Sequence, residues 1–411
     1  MPPRLMHVDL DAFFVEVCRR KMPALAGVDR IIVGGRPDGR GVVTSASYGA
    51  RKFGVRSGMP TGQALRLCPD ARVVNGDFAW YREASRAVRR VLERHAPRVV
   101  MAGLDEAYLD FTGTERLWPV SLLPVAERIR DDVQRESGLF VSIGIGPNRS
   151  IAKMGSDFAK PRGIVEVRAG WEEGFTAGLP LKAFPGIGPK TAARLAEKGL
   201  TEAWEVQKLP AGRLRVLIGE DAEWLKLRAA GKGGTTLSRR EAAKSISRET
   251  TLATDETDLK RLEGRLLRLT AFVAAQLREE GLQARTVVLK LRHGDFHTVT
   301  RRVTLPLATD LDAELLAAAR KLLGPAFEEA RKRRQGVRLI GIGTSNLVPA
   351  APPDLFEDPA RTKQRKVTDA VDRVRDKFGF EALTSARVMS TRKKRSAPGP
   401  NSDPSRPRKS R

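Results

Sequence analysis

The spacing of apolar residues changes several times along the first 166 residues of the chain. Short, unbroken apolar runs predict buried β-strands, whereas apolar residues that recur every three or four positions predict helices. Because the two kinds of segment alternate, they indicate a layered α+β domain. The predicted strands are 5–10, 31–34, 42–45, 98–111, 140–146 and 163–167, and the predicted helices are 48–55 (a basic helix or turn), 79–95, 119–136 and 148–159.

The pattern changes twice beyond residue 166. Residues from about 170 to 231 have helical spacing throughout, and the Gly-rich segment that follows predicts a flexible linker. From Lys244 on, the order strand, helix, strand, strand, helix, strand predicts a small sheet covered on one face by two helices. The predicted elements are strands near 244–250, 284–292, 297–305 and 337–345, helices near 257–280 and 310–333, and a tail helix at 363–378.

The chain is strongly basic, since its 411 residues carry 74 Lys and Arg against 49 Asp and Glu, a net charge of +25. This surplus favours a polyanionic partner, nucleic acid before an anionic membrane, although a basic solvated surface is the alternative. The last 21 residues hold eight Lys or Arg and one Asp. That composition favours a flexible arm that binds phosphate without sequence specificity.

Cysteine, histidine and apolar content exclude further classes of protein. Cys18 and Cys68 are the only cysteines, so we expect neither a disulfide scaffold nor a cysteine zinc site. His293 and His297 lie in a predicted strand pair and turn, so we expect surface residues rather than zinc ligands. No apolar run is long enough to cross a membrane and no signal peptide opens the chain, so we expect a cytoplasmic protein.

Acidic residues interrupt two of the apolar strands. Asp105 and Glu106 adjoin inside 98–111, and Asp9 lies in the first strand. Because burying unpaired charge is costly, these acids indicate a shared purpose, and oxygen ligands gathered at one point can hold Mg²⁺ beside a substrate phosphate. In a two-metal nucleotidyl transfer, Asp9 and Asp105 would bridge the ions, Glu106 would hold the catalytic one, and the Leu10 carbonyl would add a ligand. The alternative is that these acids pair with Arg or Lys at strand ends.

Two other groups of residues suit phosphate. Tyr48, Arg51 and Lys160 offer a hydroxyl, a bidentate fork and a point charge to a triphosphate, although each could be a solvated surface residue. The segment 184–195 predicts the hairpin of a helix-hairpin-helix element, whose backbone N–H groups approach a DNA phosphate, unless it is an ordinary turn between helices. The hairpin residues concerned are Gly186, Gly188 and Lys190.

Six ordered motifs resemble those of the Y-family DNA polymerases, closest to the bacterial DNA polymerase IV group, over about residues 4–346. The motifs are 8–14, 47–55, 104–110, 159–161, 185–188 and 244–251. The resemblance implies an α+β multidomain protein, a right-hand polymerase whose last folded part is an α/β domain called the little finger. It implies a catalytic palm at 1–10 and 76–166, fingers at 11–75, a helical thumb at 167–231, a linker at 232–243, the little finger at 244–346 and a flexible basic tail at 347–411.

The resemblance also implies roles for single residues. It puts Asp9, Asp105 and Glu106 on the metal carboxylates of the family. It puts Phe14 on the steric gate that excludes a ribose 2′-hydroxyl. The further nucleotide contacts that it implies are Phe13, Ser45, Tyr48, Arg51 and Lys160, and the further DNA contacts are Lys244, Ser245 and Arg248.

The implied activity is template-directed DNA synthesis of low fidelity, in translesion synthesis and DNA repair, with two Mg²⁺ ions and no proofreading exonuclease. The implied partners are primer–template DNA and dNTPs, with no membrane, and we expect a monomer. In the tail, Leu355 and Phe356 resemble the end of a peptide that inserts into the sliding clamp, although its usual Gln is absent.

The chain departs from the family pattern at Gly103-Leu104, where Ser-Ile is usual, at Arg149, where Lys is common, and at Thr44, which is often a small apolar residue. Three other functions stay open at this point. A polymerase-like accessory protein would lack the metal carboxylates, which are present here. A nucleotidyl cyclase would not need the hairpin or the second DNA-gripping domain, and a helix-hairpin-helix nuclease would not explain the triphosphate candidates.

Overall fold

A computed structural model of the chain describes residues 3–237, 243–350 and 359–383. The chain divides into two compact units, Met1–Arg239 and Arg240–Arg411, which we describe separately. Leu355 and Phe356 lie outside the described residues. No helix in the described ranges is both long enough and apolar enough to span a membrane.

Two sheets and the helices that cover them form the first part of unit 1. In chain order the elements are β1 (Leu5–Leu10), α1 (Phe13–Lys21), β2 (Ile31–Gly34), β3 (Val43–Ala46), α2 (Tyr48–Arg51), α3 (Thr61–Leu67), β4 (Arg72–Val74), α4 (Phe78–His95), β5 (Arg98–Met101), β6 (Glu106–Asp110), α5 (Leu123–Ser137), β7 (Val141–Gly146), α6 (Arg149–Phe158) and β8 (Ile164–Glu166).

The larger sheet has the strand order β5-β6-β1-β7-β8, with β1 at its centre. All six residues of β1 are buried. Because side chains alternate along a strand, Met6 and Val8 join the core with α4 and α5, whereas Leu5 and His7 face α6 on the other side. The first strand therefore has its acid Asp9 on the α6 side of the sheet.

The acidic segment 98–111 is a hairpin, and its prediction as one strand is wrong. β5 and β6 pair antiparallel, and the amide of Ala102 donates to the carbonyl of Glu106 at 2.9 Å. A continuous strand would bury both adjacent acids, whereas the turn leaves Asp105 half-buried at the edge of the sheet. Gly103, the departure from the family pattern, lies in this turn and is exposed.

The smaller sheet has the order β3-β2-β4, and its antiparallel pair β2–β3 confirms the predicted strand pair. Three elements, α1, α3 and β4, were not predicted. In α1 the buried positions 13, 15, 17 and 18 mostly alternate, so the helical period is not visible in the sequence.

Five short helices follow and confirm the helical character of 170–231. They are α7 (Glu172–Ala177), α8 (Pro189–Ala196), α9 (Ala203–Lys208), α10 (Ala211–Ile218) and α11 (Asp221–Ala229). The chain from 232 to 237 then packs on the larger sheet, where Leu237 is buried beside Leu5 and Tyr108. The amide of Arg149 donates to the carbonyl of Gly234 at 3.0 Å. The expectation of a flexible linker therefore does not hold for 232–237, because a buried side chain and backbone hydrogen bonds fix it.

Unit 2 is an antiparallel sheet of order β11-β10-β12-β9. Its elements are β9 (Ser245–Glu256), α12 (Leu259–Glu279), β10 (Leu282–His293), β11 (Thr298–Thr309), α13 (Asp312–Lys332), β12 (Val337–Pro349) and α14 (Pro359–Phe378). Val287, Leu289 and Leu291 of β10 are buried in one core with α12 and α13, which confirms the sheet covered on one face by two helices.

His293 is fully buried at the end of β10, and its prediction as a surface residue is wrong. It is the last residue of the strand and continues the buried side of β10, so alternation carries its ring inward. His297, in the turn to β11, is exposed as predicted.

Candidate active site

Three acids meet where β1 and β6 lie side by side. Asp9 is directly opposite Glu106 in the antiparallel register, and the amide of Leu10 donates to the Asp105 carbonyl at 2.9 Å. Strand pairing thus brings together acids that are almost a hundred residues apart in the chain. Asp9 is buried, whereas Asp105 and Glu106 are half-buried.

Asp9 is paired with the lysine that the sequence singled out for a triphosphate. The Lys160 ammonium lies 2.8 Å from Asp9 Oδ2 and 2.8 Å from Asp157 Oδ1. Burial raises the pKa of Asp9 to about 6, although Lys160 acts in the opposite direction. Burial disfavours the Lys160 charge, but the two aspartates outweigh it and raise the lysine pKa.

Glu106 has a different environment from its neighbour Asp105. The Lys153 ammonium lies 2.7 Å from Glu106 Oε1, and Nε2 of the buried His7 makes a long polar contact of 3.7 Å with Oε2. His7 and then Lys153 lower the pKa of Glu106 to about 2, so this carboxylate is charged at neutral pH. Burial raises the pKa of Asp105.

The chemistry of the donor set fits hard divalent cations, because carboxylate and carbonyl oxygens are the ligands that Mg²⁺ prefers. Among the described residues, no group of three His, Cys, Asp or Glu side chains is arranged as a metal site. Asp9 and Glu106 accept hydrogen bonds from the ammonium groups of Lys160 and Lys153 instead. The charges of Glu106 and Asp157 raise the pKa of Asp9 a little further.

Tyr48 and Arg51 lie together at α2. The Tyr48 hydroxyl donates to Asp11 Oδ1 at 3.0 Å, and burial, followed by the Asp11 charge, raises the tyrosine pKa to about 12. The Arg51 guanidinium carbon lies 5.1 Å from the Tyr48 ring centre, and its Nε donates to the Ala46 carbonyl at 2.9 Å. Through Asp11, Tyr48 is linked to the strand that carries Asp9.

The nucleotide contacts implied by the resemblance alone lie around the start of α1 and on β3. Phe13 is buried and Phe14 half-buried, and the Phe14 ring packs edge-on against Tyr81 at 4.7 Å. Ser45 is buried on β3, and the neighbouring Thr44 is exposed.

The predicted hairpin lies in the helical part of unit 1. Gly186 has φ +99°, which favours glycine, and Gly188 precedes the first residue of α8. Gly186, Gly188 and Lys190 are exposed, while Ile187 is buried in the core of this region. The hairpin is therefore anchored by an apolar residue and presents its glycines and its lysine to solvent.

The open face of the sheet in unit 2 is polar. Lys290 and Arg292 alternate with the buried residues of β10, and through β12 the first residue of β9, Ser245, is level with Thr286. Lys244, Ser245 and Arg248 are all exposed, but the Arg248 guanidinium lies 5.5 Å from the Phe272 ring of α12. Arg248 is therefore directed to the helical side of the sheet, away from Ser245.

Three residues that contact the candidate site are not among those expected from the sequence. His7 and Lys153 flank Glu106, and Asp11 accepts from Tyr48. Side-chain alternation along β1 puts His7 on the same side of the sheet as Asp9. Helical spacing puts Lys153 on the same face as Ser156 and Lys160. Both patterns are visible in the sequence and predict that these residues lie near the acids. The partners of Asp11 carry no such signal.

Two family models match the chain. The model described as the impB/mucB/samB family matches residues 8–157, and the one described as the impB/mucB/samB family C-terminal domain matches 243–355. The first range contains all three acids of the candidate site, and the second ends before α14 begins.

Relatives match over nearly the whole chain. DNA polymerase IV of Dehalococcoides mccartyi (strain ATCC BAA-2266) is 40% identical over 386 residues, which cover 94% of this chain and 97% of the relative. DNA polymerase IV of Caulobacter vibrioides is 38% identical over 390 residues, which cover 94% of each.

Solved structures share the fold. A Y-family DNA polymerase chimera superimposes with a TM-score of 0.71 at 24% identity, covering 84% of this chain and 99% of its own. An insertion ternary complex of Dbh DNA polymerase has a TM-score of 0.56 at 24% identity, covering 85% of this chain and all of its own.

Proposed function

This chain belongs to the impB/mucB/samB family, as one of its DNA polymerase IV members, and from that premise we propose that Asp9, Asp105 and Glu106 are its metal-binding catalytic acids. The chain is a DNA-directed DNA polymerase of low fidelity that acts in translesion synthesis and DNA repair. Two-metal nucleotidyl transfer and the lack of a proofreading exonuclease are general properties of this family.

The assignment of the acids rests on their convergence at the adjoining ends of β1 and β6, where two lysines balance their charge. Divalent-metal dependence follows from the family, and we propose two Mg²⁺ ions held by Asp9, Asp105, Glu106 and the Leu10 carbonyl. When bound, the ions would activate the attacking hydroxyl and hold the triphosphate.

Protein groups supply the remaining binding. We propose that Arg51 and Lys160 bind the triphosphate, with Tyr48 and Ser45 beside them. Lys160 would then exchange its contacts with Asp9 and Asp157 for phosphate, since a lysine is a point charge that can redirect its three donors. Phe14, packed on Tyr81 with Phe13 behind it, would be the steric gate against the 2′-hydroxyl.

We propose that primer–template DNA is held by both units. In unit 1 the exposed backbone of Gly186 and Gly188, together with Lys190, would contact phosphate. In unit 2, Lys244, Ser245 and Arg248 would do the same, and their exposure supports this role. The polar open face of the sheet adds support for Ser245 only, since Arg248 lies on the helical side. The domain limits inferred from the family motifs, from palm to tail, are part of the proposal, as is a monomeric state.

Clamp binding by Leu355 and Phe356 is a further proposal, supported by the apolar pair in a Pro-rich segment. A pull-down with the sliding clamp of the source organism tests it. Leu355→Ala with Phe356→Ala should abolish capture, and unchanged capture would contradict the proposal.

Primer extension with Mg²⁺ and four dNTPs, on an undamaged primer–template, tests the catalytic assignment. Wild type should extend the primer, while Asp105→Ala and Glu106→Gln should lose at least about 100-fold in rate and keep DNA affinity. Asp131→Asn, an exposed aspartate of α5, is the control and should behave as wild type. Full turnover by Glu106→Gln would show that the metal assignment is wrong, and DNA binding without extension by wild type would favour an accessory protein.

A further inference from the structure

Asp11 is a buried carboxylate that the proposed metal site does not use. It follows the last residue of β1, is 4% exposed, and its amide donates to the Phe140 carbonyl at 2.9 Å. Although it is only two residues from Asp9, its side chain takes no part in the lysine contacts of that residue. The acids of the first motif therefore have separate environments.

Three neutral groups from three parts of unit 1 donate to this carboxylate. The Tyr48 hydroxyl donates to Oδ1 at 3.0 Å, the Ser142 hydroxyl lies 3.0 Å from both oxygens, and the Arg162 amide donates to Oδ2 at 2.8 Å. The Arg162 amide also lies 2.9 Å from Ser142 Oγ. Fixed neutral donors can stabilise a buried carboxylate, and removing one acceptor leaves several buried donors unpaired.

Two of these three donors belong to the two segments that carry the proposed triphosphate contacts. Tyr48 opens α2, which carries Arg51, and Arg162 is two residues from Lys160 in the turn after α6. Ser142 lies on β7, next to β1 in the sheet, so Asp11 and Ser142 tie both segments to the strand that carries Asp9. The two segments that carry Arg51 and Lys160 thus share one anchoring carboxylate.

A phenol hydroxyl can donate only one hydrogen bond, and here Tyr48 donates it to Asp11. While that bond is made, the tyrosine hydroxyl cannot also donate to a phosphate oxygen. What Tyr48 offers instead is its ring, which lies 5.1 Å beneath the Arg51 guanidinium, the kind of cation–π contact that orients an arginine.

We propose that Asp11 is a positioning residue for the incoming nucleotide and that it acts with Tyr48 as one unit, holding Arg51 and the Lys160 turn against β1. The inference rests on the proposed function, since it concerns the same dNTP site. It differs from a direct hydroxyl–triphosphate contact in that Tyr48 depends on Asp11 for its effect.

A double-mutant cycle separates the two possibilities. Single-nucleotide insertion gives kcat and the KM for dNTP for wild type, Asp11→Asn, Tyr48→Phe and the double variant. Equilibrium dNTP binding on a dideoxy-terminated primer gives a readout that does not need turnover. Each single change should raise the KM and the dissociation constant about tenfold with a smaller change in kcat, and the double change should raise them no further.

Other outcomes overturn the inference. Effects that multiply to about 100-fold in the double variant would show that Tyr48 contacts the nucleotide independently of Asp11. A loss confined to kcat, with unchanged dNTP binding, would show that Asp11 does not position the nucleotide. If wild type does not extend primers at all, the proposed function fails and the inference fails with it, whereas extension with unaltered dNTP binding by Asp11→Asn removes the inference alone.

Controls address folding. Asp132, on α5, is another hydrogen-bonded carboxylate, and its Oδ2 lies 2.7 Å from His95 Nε2. Asp132→Asn should leave the KM for dNTP unchanged. If thermal melting shows that Asp11→Asn does not fold, Ser142→Ala replaces it in the cycle. It keeps the carboxylate but loosens the Arg162 amide, so it should raise the KM by less than Asp11→Asn and still be non-additive with Tyr48→Phe. Multiplying effects in that cycle would again contradict the inference.

Discussion

Local environment, rather than residue type, decides the charge of each acid in the candidate site. Asp105 and Glu106 adjoin in sequence, yet burial raises the pKa of Asp105 while His7 and Lys153 lower that of Glu106 to about 2. The difference arises because the turn before β6 points the two side chains into different surroundings. A substitution at one of these two acids can therefore be tested without altering the surroundings of the other.

Phe14 provides the first test at this scale. Phe14→Ala should raise ribonucleotide insertion relative to deoxyribonucleotide insertion by about 10- to 100-fold, because the ring that would clash with a 2′-hydroxyl is removed. Competitive insertion of rNTP and dNTP measures the ratio. Phe78→Ala is the matched control, since Phe78 also packs on Tyr81 but is 59% exposed. Unchanged sugar selection in Phe14→Ala would rule out the gate.

His293 provides a pH test. Burial lowers its pKa, and neither ring nitrogen has a hydrogen-bond partner among the described residues. Below pH 6.5 the unfolded chain takes up a proton that the folded chain does not, so this group destabilises the fold as pH falls through that value. His293→Phe should therefore melt at temperatures that depend less on pH between 7 and 5. His297→Phe changes the exposed histidine in the following turn and should retain the wild-type dependence of melting temperature on pH. Equal slopes for all three proteins would show that buried His293 does not destabilise the fold at low pH.

The sequence predicts the tail helix α14 but not the residues against which it packs. It was predicted at 363–378 and begins at Pro359, where proline suits the first turn. In unit 2 its Asp372 lies 2.5 Å from Arg278 of α12, and Arg365 lies 3.0 Å from Asp310. Past its end, Phe380 stacks on Phe272 at 3.8 Å. The helix is thus held by ion pairs and one aromatic stack, since none of its residues is fully buried.

Arg278→Met tests this attachment. Arg278 is 11% exposed and also pairs with Asp312 at 2.9 Å, so its loss removes a close cation from both carboxylates and leaves Asp372 with Arg375 at 3.8 Å. We expect unit 2 to lose about 2–4 kcal/mol in denaturant unfolding and residues 359–383 to become sensitive to protease. Arg331→Met breaks an exposed pair on α13 and should cost less than about 1 kcal/mol. Equal costs for the two changes would show that α14 is not held through Arg278.

Charge is the property that belongs to the whole molecule. The net charge of +25 is spread over both units and the tail, so we expect DNA binding to depend steeply on salt and little on sequence. The tail after 383 lies outside the described residues, and its sequence is strongly basic.

Deletion of residues 391–411 tests that contribution. It removes eight basic residues and one acidic residue. The slope of log affinity against log salt should become shallower by up to about 7, according to how many of the eight contact phosphate, and primer extension at low salt should persist. Fluorescence anisotropy with labelled primer–template measures the slope. An unchanged slope would show that this arm does not contact DNA.

The order of most strands and helices, the basic charge and the identity of the candidate acids could all be predicted from the amino-acid sequence. These depend on local periodicity and composition, which a single chain displays directly. Only long-range packing reveals that 98–111 folds as a hairpin, that His293 is buried and that 232–237 is fixed. It also reveals that Lys160 pairs with Asp9 and that Asp11 joins Tyr48 to Arg162. Those contacts link residues up to about 150 positions apart, and no local pattern encodes which distant donor a buried carboxylate will meet.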